Sequence, residues 1–189
     1  MKLGTADITA VKLGAVDVTR VMLGAEQVWP SEGGPAVYDQ NGITTLGALT
    51  TPANGAQQVG WEFTVGAADI EVGKLRLYLA STFDTETMRI WRVSDTSLVA
   101  SASVLPVLNA WAESDLASPV TLSSGANYVV TTRRNGGVTR QYNYSTGTSG
   151  FVFAPEITFV RSRFINGDGY PSSTLSGVFG ITDIVFAAP

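Results

Sequence analysis

The chain contains neither cysteine nor histidine. Without cysteine there are no disulfides and no thiolate metal sites, so a domain of this size must rely on its hydrophobic core; the absence suits either redox compartment. Without histidine, the Ser-His-Asp and Cys-His routes to an activated nucleophile are closed, and the commonest metal ligand is gone. Charged residues make up only 15% of the chain, and the formal net charge of −4 comes with scattered basic residues. That distribution offers no footprint for a long phosphate backbone, so nucleic acid is not an expected partner. No apolar run approaches the roughly 20 residues of a membrane helix, which argues against membrane insertion. After Lys2, residues such as Gly4 and Asp7 interrupt the chain before any apolar signal-peptide core forms. The expectation is a soluble protein without a cleaved signal peptide. Helical periodicity is missing as well: no window of helical length keeps an i, i+3, i+4 apolar stripe free of glycine or β-branched runs.

What is present favours strands joined by tight turns: 20 glycines, with valine, threonine, serine and aromatics in quantity. In Gly60-Trp61-Glu62-Phe63-Thr64-Val65 and Lys74-Leu75-Arg76-Leu77-Tyr78-Leu79 the apolar residues alternate with polar ones or glycine. Period two marks strands buried on one face. Strand candidates follow at 58–65, 74–79, 87–93, 98–103, 111–116, 119–122, 127–133, 138–144, 151–153, 157–164 and 178–186. Asn135-Gly136 between Val129–Arg134 and Val138–Tyr144 is the strongest hairpin signal. No strand alternates with a long helical segment, which disfavours a parallel sheet. The fold expected is all-β: an antiparallel, jelly-roll-like β-sandwich preceded by a short repeated β-meander. Trp61, Phe63, Phe151, Phe153, Phe159, Phe179 and Phe186 are its expected core aromatics, while Trp91 and Trp111 stand beside polar neighbours.

The meander is read from an internal repeat. Leu3-Gly4, Leu13-Gly14 and Leu23-Gly24 recur every ten residues, with polar Asp7, Asp17 and Gln27 and β-branched Ile8, Val18 and Val28 at matching places. Each glycine permits a turn, and Ile8–Leu13 and Val18–Leu23 are six-residue strand candidates. So short a piece buries little by itself and needs a neighbour. Leu3, Ile8, Val11, Leu13, Val18, Val21, Leu23 and Val28 are its candidate assembly residues. The Pro/Gly-rich stretch Trp29-Pro30-Ser31-Glu32-Gly33-Gly34-Pro35 marks a boundary. This gives an assembly segment at 1–30, a linker with a lead-in strand at 31–57, and a sandwich domain at 58–189.

Two resemblances accompany these patterns. The Leu-Gly repeat resembles short strand repeats near the N-termini of some tailed-bacteriophage structural proteins. The order Gly60-Trp61-Glu62-Phe63, Leu75-Arg76-Leu77-Tyr78, Met88-Arg89-Ile90-Trp91, Trp111-Ala112-Glu113, Tyr128-Val129-Val130, Asn166-Gly167-Asp168-Gly169-Tyr170-Pro171 and Asp183-Ile184-Val185-Phe186 resembles an uncharacterised sandwich domain of bacterial extracellular, carbohydrate-associated proteins. That domain is similar in outline to carbohydrate-binding jelly rolls; the resemblance implies no established activity and supplies no catalytic residues. The chain departs from its pattern at 79–86 and 143–150.

With histidine absent, a hydrolase would have to run on carboxylates. The closest acidic pairs are Asp84 with Glu86 and Glu113 with Asp115; residues i and i+2 of a strand lie about 6.5 Å apart on one face, within the range a glycosidase uses. Acids alternating on a solvent face are the plainer reading, and no enzyme activity is expected. Asn166-Gly167-Asp168-Gly169 has some features of a calcium loop, with Asp168 the candidate ligand, but the full spacing and terminal glutamate are missing, and a plain turn fits better. Arg133, Arg134 and Arg140, with Tyr142 and Tyr144 near them, suit an acidic-sugar site with aromatic stacking or salt bridges to another chain, and exposed arginines paired with Asp or Glu at the surface suit the pattern as well; Arg161 and Arg163 add to the basic character of this half.

The function expected is that of a non-enzymatic structural protein of a tailed-phage virion, in a decoration, tail-tip or fibre position. Residues 1–30 would contact other virion proteins within a homo-oligomer or symmetric assembly, and the sandwich would be displayed, with a cell-surface glycan as candidate ligand. No cofactor is expected. A bacterial carbohydrate-binding module is the alternative.

Overall fold

The computed structural model describes residues 2–3, 6–7, 12–13, 16–17, 21–23, 26–29, 36–50, 53–54, 57–79, 85–133, 140–141 and 143–187. The chain divides into two compact units, Met1–Val37 and Tyr38–Pro189.

In the first unit each repeat pairs with itself. Lys2–Leu3 pairs with Ala6–Asp7, Lys12–Leu13 with Val16–Asp17, and Val21–Leu23 with Glu26–Trp29, all antiparallel. The registers Leu3↔Ala6, Leu13↔Val16 and Leu23↔Glu26 repeat with the sequence, so the Leu-Gly period is also a period of pairing. Two residues separate the arms, the first of them Gly4, Gly14 or Gly24, which is the connection length that tight hairpins favour. Of the strands expected at 8–13 and 18–23, only 12–13 and 21–23 are described as strand; Ile8, Val11 and Val18 lie outside the described residues, and Val28 falls in the Glu26–Trp29 arm.

The second unit is built on ten longer strands: β1 Tyr38–Asn41, β2 Gln57–Val65, β3 Ile70–Leu79, β4 Glu86–Arg92, β5 Leu98–Val104, β6 Ala110–Leu122, β7 Asn127–Arg133, β8 Ile157–Asn166, β9 Ser173–Leu175 and β10 Thr182–Ala187. A six-stranded sheet runs in the order β5-β4-β7-β2-β8-β9 and a four-stranded sheet in the order β6-β3-β10-β1. Every pairing is antiparallel. Short two-stranded ladders join Ile43–Thr45 to Val152–Phe153, Ala53–Asn54 to Arg140–Gln141, and Tyr144–Ser145 to Val178–Phe179. Strand β1 belongs to the four-stranded sheet, so the sandwich unit begins before residue 58. Residues 111–116 and 119–122, read as separate strands from sequence, form one continuous strand; Pro119 is tolerated because β6 lies at the sheet edge.

The core follows the alternation. Val59, Trp61, Phe63 and Val65 of β2 bury their side chains with Leu75, Leu77, Met88, Ile90, Tyr128, Val130, Ile184 and Phe186. The Trp61 ring is 0% exposed and lies 5.3 Å from Phe63 and 5.2 Å from Phe153. Its indole N–H donates to the Thr182 carbonyl at 2.5 Å, tying the six-stranded sheet to the four-stranded one. A buried indole needs such a partner. Trp111 packs as well, 3.9 Å beneath the Arg76 guanidinium and edge-on to Tyr78.

The expected hairpin across Asn135-Gly136 is overturned in its pairing. Strand β7 has both edges occupied, by β2 along 127–133 and by β4 along 128–133, and Arg140–Gln141 pairs with Ala53–Asn54 instead. The physical reason is burial. Residues 128–132 are buried side chain after side chain, as suits an interior strand, and long-range pairing takes both of its edges. Asn135 and Gly136 themselves lie outside the described residues.

A buried ion pair fastens the lead-in segment to the four-stranded sheet. Arg76 Nη2 lies 2.7 Å from Asp183 Oδ2, which also accepts from Arg76 Nε and from the Ile43 N–H, while Arg76 donates back to the Ile43 carbonyl. A Cβ at Gly42 would meet Asp183 Oδ1 at 2.4 Å, so only glycine lets the chain approach this closely. Burial pushes the Asp183 carboxyl above its ordinary value, with the Arg76 guanidinium opposing the shift.

Two measurements check this packing. Phe63→Ala is expected to cost about 3–5 kcal/mol and the neighbouring Thr64→Ala, whose hydroxyl bonds the Asn127 side chain, about 1 kcal/mol, read from urea unfolding; equal costs would mean the inner and outer faces are exchanged. Arg76→Ala, which strands the Asp183 charge inside the protein, is expected to cost about 3–5 kcal/mol in the same assay.

A polar face with a loop folded over it

The residues of β2 that alternate with the core do not face open solvent. Gln58 is 0% and Glu62 2% exposed, and the neighbouring strands contribute Arg89 and Trp91 from β4, Thr131 and Arg133 from β7, and Arg161 and Arg163 from β8. The registers place them in three rows across the sheet: Thr87, Arg133, Gln58, Ile165; then Arg89, Thr131, Gly60, Arg163; then Trp91, Val129, Glu62, Arg161. The middle row has no side chain at Gly60, where a Cβ would meet the Val130 carbonyl oxygen at 1.9 Å.

Glu62 is neutralised from one side. Its carboxylate accepts from Arg163 Nε at 2.7 Å and from Asn127 Nδ2 at 3.3 Å, with Arg161 Nε at 3.3 Å. Two guanidiniums and an amide offset the desolvation of a charge that would otherwise be costly to bury. Arg89 donates to Gln58 Oε1 at 2.8 Å, and the Gln58 amide donates to the Thr131 hydroxyl at 3.1 Å.

The segment after β8 folds over this face. Gly167 and Gly169, with φ of +102° and +122°, flank Asp168 in backbone conformations that other residues resist. The Asp168 carboxylate accepts from Arg89 and from the Gly169 N–H. The Arg89 guanidinium, then the charge of Arg133, holds this carboxyl below the usual aspartate value. The Tyr170 ring stands edge-on to Trp91 at 6.2 Å, with the Arg163 guanidinium 5.7 Å from it and Arg89 5.9 Å from the indole. Two donors on this face are sealed from solvent with no hydrogen-bond partner among the described residues: Trp91 Nε1 and Arg133 Nη1.

The candidate residues read from sequence are dispersed. Arg133 lies on this face, next to Gln58 in the register. Tyr144 does not: its ring stacks on Phe179 at 4.7 Å against the core. Arg140 is described only by its backbone pairing with Asn54, and Arg134 and Tyr142 lie outside the described residues. Asp168 turns toward a guanidinium, the opposite of a cation site, and no group of three potential metal ligands occurs among the described residues. Glu113 pairs with Lys74 at 3.6 Å on the exposed side of β6, Asp115 is exposed beside it, and Glu86 is buried. Asp84 lies outside the described residues. The residues missed by sequence reasoning, Gln58, Glu62, Arg89, Trp91 and Tyr170, come from β2, β4 and the post-β8 loop. Period-two alternation places Glu62, Arg89 and Trp91 on the outward face, but nothing local marks that face as covered.

The fold and this face define an antiparallel β-sandwich whose larger sheet carries a polar, arginine-rich outer layer. Residues 45–179 match the family described as a domain of unknown function (DUF4082), and the chain belongs to that family. No match was found among curated proteins. Among the described residues no helix is long and apolar enough to cross a membrane.

The Asp168 contact has a pH signature. A carboxyl held low in the folded state contributes stability above its unfolded pKa of about 3.9 and loses it as pH falls through the lower folded value. The stability difference between the native chain and Asp168→Asn is therefore expected to be constant above about pH 5 and to shrink as the pH falls below about 4, followed by urea unfolding across that range. A difference independent of pH would contradict an ionised Asp168 on Arg89.

Proposed function

We propose that the chain is a non-enzymatic structural protein of a tailed-phage virion, in which the repeated hairpins dock onto the particle and the sandwich is displayed. The observation that carries this reading is the division of labour between the units. The sandwich closes its own core around Trp61 and Phe63. Each described repeat pairs only within itself, through arms of two to four residues. Two-stranded hairpins are marginal alone in water, and their free edges accept strands from another chain. A unit of this kind gains its stability by joining something larger. The non-enzymatic part is supported by the state of the acids: Glu62, Glu113 and Asp168 are each paired with a cation, and histidine is absent. Decoration, tail-tip and fibre positions all accommodate the reading.

A carbohydrate-binding role is favoured by a separate observation, the Trp91 and Tyr170 rings set among arginines on the outer face. It is compatible with display on a particle, where the ligand would be a host-surface glycan.

Deleting residues 1–37 is expected to abolish co-sedimentation of the chain with phage particles while leaving a sandwich that unfolds cooperatively. Fusing 1–37 to an unrelated soluble protein is expected to carry that protein onto particles. Incorporation of the deleted chain at the native level would overturn the docking role.

A further inference from the structure

On the outer face of the six-stranded sheet, cationic side chains outnumber carboxylates among the described residues. Arg89, Arg133, Arg161 and Arg163 stand on it against two carboxylates, Glu62 and Asp168. The two carboxylates hold their places differently. Glu62 is 2% exposed, belongs to a central strand, and is engaged by Arg161, Arg163 and Asn127. Asp168 sits in a loop between two positive-φ glycines; its side chain is 57% exposed, whereas that of its partner Arg89 is 18% exposed. The guanidinium is thus built into the sheet by its bond to Gln58, while the carboxylate is laid on from outside. The Asp168 carboxylate feels the charge of Arg133 as well as that of Arg89, and the Trp91 indole lies 5.9 Å from the Arg89 guanidinium.

We propose that this face binds a carboxylated saccharide, whose carboxylate takes the place of the Asp168 carboxylate on Arg89 beside Arg133 and whose pyranose ring lies against Trp91 and Tyr170. The chemistry of each group fits that occupant. A guanidinium fork is suited to a planar carboxylate. Among the described residues nothing accepts from the Trp91 Nε1 and Arg133 Nη1 donors, and a sugar offers hydroxyl and carboxyl oxygens at several heights above a ring. Half-buried aromatic side chains present an apolar surface to the C–H face of a pyranose while keeping polar edges for its hydroxyls. Among the described residues the surplus of two positive charges, 4 − 2 from the residues just named, matches one or two carboxylates. This inference deepens the displayed-domain part of the proposed function and rests on it only for the place where binding occurs.

The test is calorimetric titration of the purified full chain with trigalacturonate and with 3′-sialyllactose, against galactotriose and lactose as neutral controls. At least one acidic saccharide is expected to bind, at least tenfold more tightly than its neutral counterpart, and to weaken with added salt; which of the two binds distinguishes a uronate from a sialate source. Asp168→Asn is expected to raise the affinity severalfold, because the competing carboxylate is gone, and Arg133→Gln to lower it at least tenfold. The direction at Asp168 separates the proposal from a structural role, which would give a loss. Should Arg133→Gln fail to fold, Arg133→Lys, which keeps the charge but not the fork, is expected to lose affinity while melting as the native chain does. Binding of neither acid, equal binding of the neutral sugars, equal binding of a glutamate tripeptide, or an unchanged or lowered affinity in Asp168→Asn would overturn it. None of these outcomes touches particle incorporation through residues 1–37, so the two proposals fail separately.

Discussion

Strand β2 is buried on both of its faces, and the rest of the sandwich is arranged around that constraint. One face of it can be satisfied with hydrocarbon, and Val59, Trp61, Phe63 and Val65 do so between the sheets. The other face carries Gln58 and Glu62, equally shielded from water. A carboxylate in that position has to be met by cations and hydrogen-bond donors or it destabilises the fold by several kcal/mol. β8, directly alongside in the register, supplies Arg161 and Arg163 to meet it.

That arrangement divides the outer face into two halves with different roles. On the β8 side, arginines and Glu62 complete one another and hold Tyr170 through its contact with Arg163. On the β4 and β7 side, Arg89 is shared between Gln58 and the loop carboxylate of Asp168, and Arg133 has a sealed donor with no partner among the described residues. The first half reads as structure; the second has donors to spare among the described residues. In the four-stranded sheet Arg76 and Asp183 pair through Oδ2 under Trp111 and hold Ile43 by its N–H and its carbonyl.

Much of this architecture is legible in the sequence because period-two alternation is a local signal. Trp61, Phe63, Leu75 and Leu77 announce the inward face of their strands, and all four are buried there. The ten-residue Leu-Gly repeat likewise announces a repeated structural unit, and each repeat forms its own hairpin. What escapes is non-local. Asn135-Gly136 looks like a hairpin turn, but both edges of β7 are taken by strands distant in sequence, with Tyr128 opposite Phe63. Alternation marks Glu62 as outward-facing yet says nothing of its burial, since the guanidinium of Arg163 comes from 101 residues away. Arg89 and Asp168 lie 79 residues apart and meet only in the folded chain. Tyr144, grouped with Arg133 by sequence proximity, stacks instead on Phe179, which holds it against the core.

The central claim is that the Asp168 carboxylate occupies a cradle meant for an acidic ligand. The measurement that bears on it most directly is a crystal structure of the full chain carrying Asp168→Asn, grown with a saturating concentration of whichever acidic trisaccharide binds more tightly. The account predicts the ligand carboxylate within hydrogen-bond distance of Arg89 and Arg133, and a pyranose ring against Trp91 and Tyr170. A ligand bound elsewhere on the sandwich, or seated on Arg161 and Arg163 with Glu62 displaced, would contradict it.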